Sequence, residues 1–497
     1  MKILPLFFCL LLSGFVVAQS GKGYVIEDLP MPEGLDPETG GLGFFPDGRL
    51  VACFTRGEVM VYDPKTRQWE VFADGLHEPL GLLVEGQSEI VVLQRPELTR
   101  LRDTDGDGKA DLFETITDEF GLSGNYHEFN YGPVKDKNGN YYIALNTASS
   151  GAGFRDNPRG PVNLAGRDST TGRKQMYSVV PYRGWVLKIT PQGKVIPYAS
   201  GLRSPNGIGF DEEGNLFVND NQSDWVETSK FFHIREGHFY GHPASLVWEK
   251  DWDGRNPFRI PVEELNRRRT EATVFYPHGI MANSPAEPVY VRKGTQFPQF
   301  EGQWLVGEMN HDRIVRVMLE KINGEFQGAC VPFLDKNGLR MGNNRLVFGP
   351  DGSLYTGQIV HGWAGAKGIQ RISNPGQTPP FDIREMKITP TGFEFTFTRP
   401  VDRKKAMVTE HYQIKHYRYP YQKKPFNEPI DFSNQEDVQE VVPRQIEVSA
   451  DGMRVKVVLP AMKKGYVYEF KLENAYTADG EPLINNLICY TANQIPQ

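Results

Sequence analysis

The run DTDGDGKADLFE, Asp103 to Glu114, is the sharpest arrangement of reactive side chains in the sequence. Carboxylates at alternating positions, a glycine at the bend and a glutamate closing twelve residues match the EF-hand type of calcium loop. Asp103, Asp105 and Asp107 would offer side-chain oxygens and Lys109 its carbonyl, with Asp111 binding directly or through water. Glu114 stands where the bidentate ligand belongs. The flanks show no helix pair, so the loop is expected on a sheet edge, where Ca2+ would be structural. Its chemistry-free reading is an acidic surface turn.

A second concentration lies between Gly201 and Pro243, GLRSPNGIGFDEEGNLFVNDNQSDWVETSKFFHIREGHFYGHP. Arg203 and Asn206 precede one strand-like stretch, and Asp220, Asn221, Gln222, Ser223 and Asp224 follow the next. Trp225 beside those groups has the makings of a sugar subsite. An aromatic face packs on C–H surfaces while amides and carboxylates bond hydroxyls. Any one of these polar residues more commonly satisfies loop backbone; their density argues for a site. His127, in NYHEFNYGP, could serve as a general base near neutral pH, or simply be a hydrogen-bonded structural histidine. His278, His311, Arg345 and His361 fall at comparable places further on. No H-x-H or H-E-x-x-H spacing supports a histidine-bound transition metal.

These residues need a scaffold, and a repeat supplies one. GLGFFPDGRLVACF, YGPVKDKNGNYYIAL, GIGFDEEGNLFVND and RLVFGPDGSLYTGQ each read as strand, tight turn, strand, and two weaker copies begin at Leu80 and Val289. Their Asp-Gly, Asn-Gly and Glu-Gly pairs supply the positive φ that a hairpin needs. Outer pairs such as GEVMVYDPKTRQWEVF make four strands per unit, a propeller blade. Six units fit before residue 380; a seventh fits only if 240–273 conceals a divergent blade. A ring must close, so the stretch near Tyr24 to Leu29 is expected to pair with Ile369 to Ile372. The chain is thus predicted to be all-β: a six-bladed (or seven-bladed) β-propeller over 19–382, then a small Ig-like β-sandwich over 383–497. Two insertions, 147–183 and 242–271, interrupt the rhythm and are too long for simple hairpins.

The first 18 residues read as a signal peptide cleaved after Ala18, which predicts an exported, periplasmic or secreted protein. No later stretch is apolar for long enough to cross a bilayer. The formal net charge of −7 argues against a nucleic-acid partner. Beyond the signal only Cys53, Cys330 and Cys489 remain, too few and too scattered for a disulfide framework. One bridge could join some pair of them, and sequence does not choose which.

The sequence resembles the glucose/sorbosone dehydrogenase-like propellers, especially an exported bacterial branch described as membrane-bound dehydrogenases. The resemblance runs from about Gly41 to Asp382 and rests on DTDGDGKAD, GLRSPNGIGF…DNQSDW…GHFYGHP, EFQGACVPF and NNRLVFGPDGSLYTGQ. It implies a pyrroloquinoline quinone at the ring centre, held by an Arg-Asn pair, a calcium-binding Gly-Pro turn, a lysine and two late arginines, with a catalytic histidine. Arg203 matches the first arginine, but Ser204 follows it, with Asn206 nearby. Gln222 lies near the calcium turn, whose Gly-Pro reads Ser223-Asp224. His311 falls near the lysine, Arg345 matches one late arginine, and His127 matches the catalytic histidine after a short gap. The expectation is a sugar or alcohol dehydrogenase-like oxidoreductase acting on carbohydrate and passing electrons to a separate acceptor. The alternatives are a cofactor-free lyase or hydrolase using His127, Asp220 and Asp224 as acid–base groups, and a glycan-binding propeller. In that last reading Trp225 and Trp363 stack on sugar rings; His278 is a further substrate-binding candidate in any of the three.

Overall fold

A computed structural model describes residues 19–21, 23–167, 175–222, 224–361, 365–376, 379–422 and 434–497. The proposed signal segment, Ser223 and Trp363 lie outside the described residues. Six antiparallel sheets follow one another along the chain. Their innermost strands are Thr39–Phe44, Leu82–Val84, Asn130–Lys135, Pro205–Phe210, Pro285–Tyr290 and Asn343–Phe348, which define blades 1 to 6. Each innermost strand packs on the next, and the sixth packs on the first, so the ring is closed. Blade 6 takes its outer strand from the start of the chain: Tyr24–Asp28 pairs antiparallel with Gly368–Ser373. The propeller therefore has six blades. The stretch that might have held a seventh forms short 3-10 turns and one helix, Val262–Arg268.

The hairpin glycines act as the sequence implied: Gly48, after Asp47, sits at φ +92°. At the ring centre glycine has a second use, because inner strands of neighbouring blades nearly touch. A Cβ on Gly81 of blade 2 would meet the Gly132 carbonyl oxygen of blade 3 at 1.6 Å. Between blades the fill is apolar. Phe217 and Phe231 of blade 4 pack on Trp304 of blade 5, with ring centroids 5.2 and 5.6 Å apart.

After the ring come two four-stranded sheets. One comprises Ile383–Thr389, Gly392–Phe397, Arg454–Val458 and Gln445–Val448. The other, Leu487–Ala492, Tyr466–Leu472, Tyr412–Arg418 and Glu436–Glu440, continues the sheet of blade 5 through its outermost strand, Glu325–Asp335. Phe393, Phe395, Tyr468, Phe470, Ile488 and Tyr490 form the shared core, to which Met318 and Val331 of blade 5 also contribute. The C-terminal unit is thus grafted onto one blade by backbone hydrogen bonds, a union that its alternating pattern alone could not show.

Candidate functional site

The ends of the inner strands converge on a cavity of about 260 Å³ at one mouth of the ring. His127, Arg203, Gln222, Ser284, Asn310 and His361 reach it from blades 3 to 6. Tyr126, Asn146, Ser204, Asn206 and Asn221 complete most of the polar lining. The size lies just under the ~300 Å³ at which small-molecule sites usually begin.

His127 is 7 % exposed. Its Nδ1 lies 2.8 Å from the Thr147 carbonyl oxygen, which can only accept, so Nδ1 carries the proton and Nε2 keeps a lone pair. Burial, with Arg203, Arg95 and His361 nearby, lowers its pKa to about 3. The imidazole is therefore neutral at physiological pH. Across the ring His361 contacts Glu78, Nε2 to Oε1 at 3.2 Å, and stands edge-on to Phe129 at 4.4 Å. Glu78 also takes the Arg95 Nε at 2.5 Å, and that guanidinium lies over the Phe129 ring. The pair of charges is thus internally neutralised.

Arg203 is different. Its Nε is buried and has no hydrogen-bond partner among the described residues. Two residues lining the same cavity carry acceptors in the same condition, Asn146 Oδ1 and Asn221 Oδ1. Their amide nitrogens are fixed, donating to Ser204 Oγ at 3.0 Å and Ser284 Oγ at 2.9 Å.

Several expected participants stand behind the wall of the cavity. Asp220 is 2 % exposed, accepts the backbone N–H groups of Arg203 and Ser204, and pairs with Lys230 at 3.4 Å. Asp224 pairs with His242 at 3.0 Å. Burial would raise the Asp224 carboxyl, but His242 and Arg203 outweigh it and hold the pKa at about 2. Neither carboxylate can act as the expected acid–base group: both are buried in ion pairs, and neither lines the cavity. Trp225 is 2 % exposed and packs against Tyr421 of the C-terminal unit at 5.4 Å, so it offers no face to a sugar. Tyr421 donates to the Gly241 carbonyl oxygen at 2.6 Å, and the Gln422 N–H donates to the Trp225 carbonyl oxygen at 3.1 Å.

Arg345 is likewise spent. It is 2 % exposed and lies over the Tyr131 ring at 4.8 Å. It donates to the carbonyl oxygens of Gly40, Leu80 and Asn344 at 2.8 to 3.0 Å, and to Asn206 Oδ1 at 3.4 Å. It ties blades 1, 2, 4 and 6 together behind the cavity and is not a cofactor ligand. Asn206 lines the cavity, but its Oδ1 faces Arg345 and its Nδ2 the Met309 sulfur. Gln222 lines it too, with Oε1 accepting from Ser229 Oγ at 3.2 Å. His278 and His311 neighbour each other outside the cavity lining, and the buried Glu308 accepts the His311 N–H.

The acidic loop joins two strands of blade 2, Leu98–Arg102 and Leu112–Thr117. Ligand oxygens of Asp103, Asp105 and Asp107 lie within 4.8 Å of one another. The far half of the loop departs from expectation. Glu114 sits on the second strand and pairs with Arg100 at 3.0 Å, while Asp111 accepts from Thr104. The loop's first three carboxylates come together as a Ca2+ site would need; Glu114 is not among them and pairs with its cross-strand neighbour Arg100.

Sequence reasoning missed Tyr126, Asn146, Ser284 and Asn310 in the lining, and the Glu78–Arg95 pair beneath His361. No motif marks them; only the radial convergence of strand ends does.

Fold and cavity together define a six-bladed propeller with a polar cavity where its inner strand ends converge. Residues 15–362 match the family model described as "Domain of unknown function (DUF7133)", and the chain belongs to that family. No curated protein matches it. Among solved structures it is similar to a protein from Thermus thermophilus described as an oxidoreductase (glucose dehydrogenase). That likeness has 17 % identity and a TM-score of 0.47, covering 70 % of this chain and 100 % of the other. It is also similar to the PQQ-bound aldose sugar dehydrogenase of Streptomyces coelicolor, at 16 % identity and a TM-score of 0.44, covering 72 % and 99 %. A third is the PQQ domain of pyranose dehydrogenase from Coprinopsis cinerea, at 12 % identity and a TM-score of 0.49, covering 72 % and 97 %. No residue role is carried over from these likenesses.

Pyrroloquinoline quinone bears three carboxylates, and the residues here do not fit it. Arg203 is the one cavity-lining arginine left to meet an anion among the described residues. Arg345 is consumed by carbonyl oxygens, and His311 is outside the lining.

Proposed function

We propose that this protein acts on a carbohydrate carrying a carboxylate, bound in the cavity at the propeller axis. One observation carries the reading: Arg203 Nε, Asn146 Oδ1 and Asn221 Oδ1 are buried without partners around the same space. Buried polar groups are almost always paired, so three unpaired atoms on residues that line one cavity support a ligand site there. A cationic donor beside two amide oxygens complements a carboxylate next to hydroxyl groups. Asn146 and Asn221 would accept from sugar hydroxyls, and Arg203 would bind the acid by charge-assisted hydrogen bonds.

His127 supplies the chemistry. Its Nε2 lone pair would take the proton of a substrate hydroxyl, a step open to a lyase or hydrolase, and to a dehydrogenase only with a separate two-electron acceptor to take the hydride. A base with a pKa of about 3 is weak at neutral pH. Burial is the larger cause of that depression and Arg203 the second, and a substrate carboxylate would offset only the Arg203 part.

Calorimetric titration with glucuronate and with glucose tests the reading. Glucuronate should bind at least tenfold more tightly, and Arg203→Gln should erase the difference. Equal affinity for the two sugars, or no binding of either, would sink it. Dye reduction with the bound sugar would establish dehydrogenase chemistry; an unsaturated or cleaved product without acceptor consumption would indicate a lyase or hydrolase. Binding without turnover would leave a glycan-binding propeller.

A further inference from the structure

The seam between propeller and C-terminal unit carries a pair of thiols. The outermost strand of blade 5, Glu325–Asp335, meets the last strand of the chain, Leu487–Ala492, over three register pairs: Gly328 with Thr491, Ala329 with Tyr490, and Cys330 with Cys489. Residues directly opposite on antiparallel strands put their side chains on the same face of the sheet. Their Cα atoms are ~4.5 or ~5.5 Å apart, according to the pair type. Both spacings fall within the ~4.4–6.8 Å that a disulfide spans. The two cysteines are fully buried in one apolar cluster, and the Cys330 sulfur lies 3.7 Å from the Cys489 carbonyl oxygen. Cys53 is in a different cluster, between blades 1 and 2.

We infer that Cys330 and Cys489 are a disulfide-forming pair that locks the C-terminal unit to blade 5 in an oxidising environment. As the S–S bond forms, the two thiols lose two protons and two electrons. A disulfide of the glutathione class accepts these by exchange and leaves as two thiols. Burial and the neighbouring Cys330 thiol push the Cys489 thiol well above its ordinary pKa, so the closed seam resists exchange. Reaction belongs to the open seam, during folding or on local separation of the strands. Because 159 residues separate the two cysteines, the bond would close a long loop and constrain the unfolded chain strongly.

The test holds the purified full chain with oxidised glutathione in sub-denaturing urea, then alkylates and maps it without reduction. The expected result is one peptide linking Cys330 to Cys489, with Cys53 alkylated. The melting temperature should fall by roughly 5 °C when the bond is reduced. That shift should vanish in the Cys330→Ala/Cys489→Ala double variant. Recovery of Cys330 and Cys489 as alkylated thiols, as glutathione adducts alone, or linked to Cys53 would overturn the inference. Because mapping uses the unaltered chain, a variant that folds poorly cannot mask the outcome.

Discussion

Replacing Arg203 by methionine should weaken ligand binding without weakening the protein. The Arg203 Nε is buried without an acceptor, and burial lowers the pKa of the guanidinium although Asp224 and Asp220 oppose that shift. An unsatisfied buried polar group costs about 1–3 kcal/mol, and methionine removes that cost while forfeiting the attraction of the two aspartates. The net change should lie between zero and a rise of about 2 °C in melting temperature. Binding should respond in the opposite sense. Hydrogen bonds to a charged group contribute about 1.5–3 kcal/mol, so affinity for glucuronate should fall roughly 10- to 150-fold. Arg345 is the control: it satisfies three buried carbonyl oxygens, and Arg345→Met would strand them at a cost of at least about 3 kcal/mol. Scanning fluorimetry and calorimetry on both variants distinguish the roles. A marked loss of stability in Arg203→Met with glucuronate affinity unchanged would refute the assignment, since Arg203 would then be a strut like Arg345.

Other outcomes follow from the same geometry. The folded pKa of His127, about 3, lies below the ordinary value of 6.5, so between those pH values the unfolded chain binds more protons. Its contribution to stability is complete above about pH 6.5 and is lost as pH falls toward 3, by up to about 1.4 kcal/mol per pH unit. Melting temperature measured against pH should accordingly show a shallower acid-side slope in His127→Gln, and an unchanged slope would contradict the assigned tautomer and burial. Calcium should raise the melting temperature only at about 10⁻⁴–10⁻³ M, because three carboxylates converge and Glu114 does not. Asp105→Asn/Asp107→Asn should abolish that response, and a response that survives would place the ion elsewhere. Tyr421→Ala removes a ring packed on Trp225 and a hydrogen bond to Gly241, and should cost about 3–5 kcal/mol in a denaturant melt. A cost below about 1 kcal/mol would show that this contact does not brace blade 4.

What the sequence determined by itself was the local grammar. An Asp-Gly turn between two strand-forming stretches dictates a hairpin through the positive φ of one residue, and repetition of that hairpin dictates blades. The run from Asp103 to Asp107 is local too, so its convergence of carboxylates was legible. Tertiary structure decided everything that depends on which strand ends meet. Arg345 reads as a cavity arginine until carbonyls from blades 1 and 2 consume its donors. Asp220 and Asp224 read as reactive until Lys230 and His242 are brought against them. Glu114 meets Arg100 across a strand pair instead of its loop's carboxylates, and Cys330 finds Cys489 through a register set 159 positions away. Residue type and spacing fix what a side chain can do. Which partners reach it first is settled by contacts distant in sequence, and those partners decide whether any of that capacity is left for a ligand.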